Sequence, residues 1–211
     1  MEKAITSLRS GRRRALRERV RTNDRACWLD HVLADAIVSL AHNHPEYAVA
    51  MIARDAELAS APSSWGETVL QASSHLGHRN LLAHLSDIGV EFDLFAACAF
   101  GDRDLILSTW RVDSPRALGI HRLPVLHFGV VSRDVEVVEM LIHLGALLNP
   151  DDGSLSPLHS AVAIGSAPMV RCLLDAGALR TAVDGFGATP YDWACYVDDI
   201  DTDLQHCLGG R

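Results

Sequence analysis

The stretch Ser156–Ala178 reads SPLHSAVAIGSAPMVRCLLDAGA. Ser156 is placed to cap a helix N-terminus with its hydroxyl, and Pro157 at the first helical position gives up no needed N–H. Leu158, Ala161 and Val162 follow at helical spacing, and Gly165 supplies the left-handed residue that ends a short helix. A second helix is predicted from about Ala167, with Val170, Leu173 and Leu174 on one face and Gly177 at its end. Small residues at 161 and 162 let neighbouring units stack closely. Neither helix buries its apolar face alone, so the pair makes sense only in an array.

The pattern recurs. VLHFGVVSRDVEVVEMLIHLGA stands at Val125–Ala146 and TVLQASSHLGHRNLLAHLSDIGV at Thr68–Val90. Leu126 and Leu158 are 32 positions apart, and Leu158 and Tyr191 are 33. A fixed period in this range marks stacked repeats. On these residues the chain resembles the ankyrin-repeat family, whose consensus is T-P-L-H-x-A-A…G-H…V…L-L…G-A. Ser156-Pro157-Leu158-His159, Ala161, Gly165, Val170, Leu173-Leu174 and Gly177-Ala178 meet it, and Thr189-Pro190-Tyr191-Asp192 opens the next copy. Upstream, Leu126-His127, Val137-Val138, Leu141 and Gly145-Ala146 fit, as do Thr68, Leu70, Gly77-His78, Leu81-Leu82 and Gly89.

The resemblance implies an all-α solenoid of about six helix–turn–helix units with short β-hairpin loops. The units are placed near 31–62, 63–92, 93–118, 119–150, 151–183 and 184–208, together a repeat domain over 31–208. Residues 1–30 form an Arg-rich, partly helical cap or tail. Two departures stand out. From Leu70 to Leu94 the spacing drops to 24, so that unit opens its first helix without the usual hairpin, and Trp110 takes one of its core leucine slots. Asn43 stands where a glycine is expected, and asparagine is the next best left-handed residue.

The chain has 211 residues and is 48% hydrophobic, enough for one or two real cores. No apolar run is long enough for a membrane span, and the charged N-terminus lacks the apolar middle of a secretory signal. Five cysteines (Cys27, Cys98, Cys172, Cys195, Cys207), an odd count without CxxC spacing, read as reduced and mostly core thiols of a cytoplasmic protein. The net charge of −8 is uneven: residues 1–25 carry nine basic and three acidic side chains, leaving −14 on the rest. Lys3 is the only lysine, an arginine bias expected of a GC-rich bacterial genome.

Eleven histidines invite a metal or catalytic reading. In the resemblance, His127 and His159 fall in the T-P-L-H slot, which implies structural imidazoles bonded to nearby backbone; His78 falls in the G-H slot. Gly77, Gly165 and Gly177 belong to the same structural motif. His42 and His75 are the metal candidates, late in the first helices of adjacent units, with His44 a third ligand only if it turns inward. Otherwise no metal and no cofactor is expected. DDIDTD at Asp198–Asp203 fails as a calcium loop, because the sixth and twelfth positions counted from Asp199 hold Leu204 and Gly210. No GxSxG, HExxH, GxxxxGK[ST] or GxGxxG motif occurs, and catalytic residues are expected to be absent.

The leading expectation is therefore a non-enzymatic protein-binding module, an adaptor, inhibitor or immunity-type protein, monomeric and without membrane contact. The motif in register sets Trp65, Glu67, His121, Asp152, Leu155 and Phe186 on or beside hairpin tips. It sets His75, Leu76, Phe100, Ile164 and Tyr196 toward the inner ends of first helices, facing the concave groove that the resemblance implies. One alternative is a small enzyme or a ligand- or metal-binding protein using that groove. Another is a nucleic-acid-associated adaptor acting through the basic arm RSGRRRALRERVR, which the acidic remainder of the chain disfavours.

Overall fold

A computed structural model of the chain describes residues 25–151, 155–196 and 202–209. The basic arm over 1–24, the loop residue Asp152 and positions 198–201 of the acidic run lie outside the described residues. Among the described residues there are twelve helices and no strand. The chain divides after Val69 into two compact units.

In the first unit, α1 (Arg25–Asn43) packs on α2 (Pro45–Ile52), followed by a 3-10 turn at Ala56–Ala59. Ala34, Ile37, Val38 and Ala41 repeat at i, i+3, i+4, i+7 and are buried, as are Ala48 and Ile52 of α2. The left-handed Asn43 expected from sequence does not occur. Asn43 stays helical, with Nδ2 donating to the Ser39 carbonyl at 3.0 Å, and the break falls at His44, φ −145°. Pro45 explains the shift, since a proline pushes the residue before it out of the helical region.

The second unit carries α3 (Val69–Leu76, whose first residue closes the preceding unit), α4 (Arg79–Asp87), α5 (Leu94–Phe100), α6 (Arg103–Thr109), α7 (Val125–Val131), α8 (Val135–His143), α9 (Pro157–Ala163), α10 (Ala167–Asp175), α11 (Pro190–Tyr196) and α12 (Thr202–Leu208). α5 and α6, α7 and α8, α9 and α10, and α11 and α12 pack as pairs. First helices stack on first helices, α5 on α7 on α9 on α11, and second on second, α8 on α10 on α12. Local chemistry sets the boundaries: the side chains of Asp93, Asp102, Asp134, Ser156 and Ser166 each accept a backbone N–H of the helix they start.

One boundary breaks the glycine rule. Gly77, Gly101 and Gly165 take φ of +68°, +84° and +67° between consecutive helices, and the matching slot between α7 and α8 holds Arg133 at φ +62°. A side chain there costs about 1–2 kcal/mol. Its guanidinium donates to the Ile164 carbonyl at 3.2 Å on an exposed face, a small return. Arg133→Gly is therefore expected to raise stability by about 1 kcal/mol, read as a higher urea midpoint at unchanged slope.

The β-hairpins expected between units are turns rather than paired strands. Only one isolated antiparallel bridge, Leu118 with Pro124, is found among the described residues, with Gly119 N–H donating to Leu123 O at 2.9 Å. The turns at 63–67 and 184–188 each close on a single backbone bond of this kind, Ser63 N–H to Glu67 O at 2.8 Å and Asp184 N–H to Ala188 O at 3.0 Å. The shortened unit has a larger consequence. α4 leads into α5 through residues 88–93 with no intervening hairpin, and α5 is thin, with Ala96, Ala97, Cys98 and Ala99 all buried. The C-terminal end of α3 consequently meets α7: the His75 carbonyl accepts from His127 Nε2, in the first turn of α7, at 2.9 Å. A Cβ on Gly77 would stand 2.5 Å from the Val131 carbonyl oxygen.

Candidate functional site

The loop before α11 is held by its own acid. Asp184 accepts from the Phe186 and Ala188 amides at 2.9 Å and from the Trp193 indole at 3.0 Å. The Ala188 bond leads the set of contacts that keep its carboxyl below the usual aspartate range, with those from Phe186 and Trp193 adding to it. On this bonded frame Phe186 stands 98% exposed. In the first unit, the loop at 63–67 closes through Ser63 N–H to Glu67 O at 2.8 Å and carries Trp65, 52% exposed.

Glu67 corrects the expectation that it faces a partner. It is 1% exposed, its Oε2 accepts from the Trp65 indole at 3.0 Å, and its Oε1 lies 3.5 Å from His42 Nε2. Burying a carboxylate is costly unless it is paired, and the Trp65 indole N–H and the His42 imidazole offset that cost for Glu67.

The remaining candidates sort by exposure. Leu76 and His121 are exposed, Tyr196 is 87% exposed, and His75 is half-buried. Phe100, Leu155 and Ile164 pack against the core of the second unit, Phe100 edge-on to Phe92 at 5.7 Å and under the Arg79 guanidinium. Their burial has a simple cause, since neighbouring helices offer apolar surface closer than any partner. Asp152 lies outside the described residues.

The two T-P-L-H histidines are both buried. His159 Nε2 donates to Ala188 O at 3.0 Å and Nδ1 accepts from the Ser156 hydroxyl at 2.7 Å, so the neutral ring ties α9 to the loop that follows. His127 does the same with His75 O and the Ser160 hydroxyl, at 2.9 and 2.7 Å. Burial lowers the pKa of both, that of His127 to about 4.

Of the metal candidates, His44 does not turn inward. Its ring packs edge-on to Tyr47 at 5.8 Å and its Nδ1 lies 3.6 Å from Glu46, its neighbour on α2. His42 and His75 belong to different compact units. Within its own unit, His42 faces Glu67, with Nδ1 donating to Val38 O at 2.8 Å. His75 faces His121, the ring centroids 5.0 Å apart at an interplanar angle of 85°. His121 and Arg122 are consecutive left-handed residues, φ +56° and +58°, each costing about 1–2 kcal/mol. Beside them a cavity of about 300 Å³ is lined by Gln71, Ser74, Asp93, Phe95, Ile120 and Phe128. Asp93 and Phe95 in its lining stand at the start of α5, where a full-length unit would carry its hairpin.

Several of these features have no signature in the periodic pattern: the inward Glu67, the left-handed His121 and the cavity. Trp65 two residues before Glu67 is the one local sign of the first. Among the cysteines with described side chains, Cys98 alone is buried, and burial pushes its thiol well above the ordinary range; Cys172 and Cys207 are half-buried and Cys195 is exposed. All four are free thiols, so the expectation of mostly core cysteines holds for one. No helix among the described residues is long and apolar enough to cross a membrane.

A family model described as Ankyrin repeat matches residues 155–185. Zygote-specific protein 3 of Chlamydomonas reinhardtii is 38% identical over 79 residues, 37% of this chain and 21% of that protein. Palmitoyltransferase ZDHHC13 of Mus musculus is 30% identical over 99 residues, 46% of this chain and 15% of that enzyme. The matches thus span about a fifth or less of these curated relatives.

Proposed function

We propose that the chain, whose residues 155–185 match the ankyrin repeat, is a protein-binding module with no chemistry of its own, acting as an adaptor or inhibitor. Phe186 carries the reading. A large apolar ring 98% exposed contributes nothing to packing, yet the loop beneath it is fixed by Asp184. Rigid presentation of an aromatic lowers the entropy lost on binding, and aromatic anchors dominate interface energetics. Tyr196, at the end of α11, adds a second exposed ring in the same helix–loop segment.

The palmitoyltransferase likeness covers 15% of that enzyme, too small a share to carry its activity to this chain. Phe186→Ala is expected to weaken binding to a partner captured from the native host by about 1–3 kcal/mol, or tenfold to a hundredfold, with the melting midpoint unchanged. A variant that binds normally but melts earlier makes this ring part of the fold and moves the binding face elsewhere.

A further inference from the structure

We propose that His75 and His121 chelate a divalent first-row transition metal ion of the imidazole-preferring kind, such as zinc or nickel. The two rings come from the end of α3 and the loop before α7, and the missing hairpin of the intervening unit lets that loop reach α3. Their ligand nitrogens lie within 4.8 Å of each other. Two imidazole nitrogens bound at about 2.0–2.1 Å to one tetrahedral ion stand roughly 3.3 Å apart. Small rotations of two side chains close the difference.

Two further features suit the pair to this role. His75 Nδ1 donates to the Gln71 carbonyl at 3.0 Å, which places the ring's lone pair on Nε2. Metal-binding histidines are commonly oriented in this way, by a carbonyl on the other nitrogen. His121 holds a left-handed backbone in a loop where glycine would sit without strain, and that conformation brings its ring edge-on to His75. Non-glycine residues in such conformations concentrate where the side chain has a task. His121 is exposed, so an ion reaches the pair directly, and two protein ligands leave positions for water or a donor from a bound partner.

The test is a zinc titration of the chelator-stripped full chain by calorimetry and by thermal melt, with cobalt(II) as a spectroscopic probe of imidazole ligation. Wild type is expected to bind one zinc per chain and to melt higher with it. His121→Gly is expected to lose at least tenfold in zinc affinity while its metal-free melt stays level or rises, because the backbone strain is relieved. His75→Ala is expected to lose affinity similarly, and His143→Ala, an exposed histidine at the end of α8, to bind as wild type does. Wild type that binds no zinc, or His121→Gly that binds it undiminished, overturns the proposal.

Discussion

Gly77→Ala is expected to lower stability by about 3 kcal/mol. Two costs add. At φ +68° any Cβ meets the carbonyl that follows it, about 1–2 kcal/mol. The new methyl would also stand 2.5 Å from Val131 O and 2.9 Å from Val131 Cβ. The first of these is backbone at the end of α7, which moves only if the helix does, and overpacking of this kind costs about 1–3 kcal/mol. Gly165→Ala separates the two costs, because Gly165 has nearly the same φ of +67° with nothing within 4 Å of its would-be Cβ. It is expected to lose only about 1–2 kcal/mol. Urea midpoints for the two variants measure the difference. Equal losses would mean that α3 does not abut α7.

The second large effect is on the pH dependence of stability. His127 is buried, and burial first of all drives its pKa down to about 4, with repulsion from His75 adding and the bond to the His75 carbonyl opposing. An unfolded histidine titrates near 6.5. Between those values the unfolded chain binds a proton that the folded chain refuses, so stability rises with pH across the window. The stability is fully present above about pH 6.5 and falls by about 3 kcal/mol as pH drops toward 4, because each tenfold difference in proton affinity is worth about 1.36 kcal/mol. His159, also lowered by burial, acts in the same direction. His127→Asn is expected to be about 1–3 kcal/mol less stable at pH 7.5, from the bonds lost to Ser160 and His75. Most of the slope between pH 6.5 and 4 is expected to vanish with it. A variant that keeps the full slope would show that His127 is not the group responsible.

The helix pairs are legible in the sequence because their signals are local. Ser156, Pro157 and Gly165 specify a start, a first turn and a stop within ten residues, and α9 and α10 follow them. The lost hairpin before α5 is legible too, as a spacing of 24 in place of 32 or 33. Its result is not. That α3 reaches α7, and that His75 faces His121, depends on how thin a helix of buried alanines is and on where the next loop falls. Asn43 misleads because Pro45 governs the break more strongly than asparagine's tolerance of left-handed backbone. Glu67 misleads because an acid in a loop reads as solvent-facing until its indole and imidazole neighbours are in place. Phe100, Leu155 and Ile164 fall on the expected elements, but periodicity does not say whether an apolar side chain there turns to a partner or to the next helix.

Hydrogen exchange of the chain, alone and bound to the protein it captures from its host, tests the proposed binding face most directly. Protection gained on binding is expected to concentrate in the loop at 184–187 and at the ends of α3 and α11, around His75 and Tyr196. Protection confined to the second helices, α4, α6, α8 and α10, with the Phe186 loop exchanging as in the free chain, would contradict it.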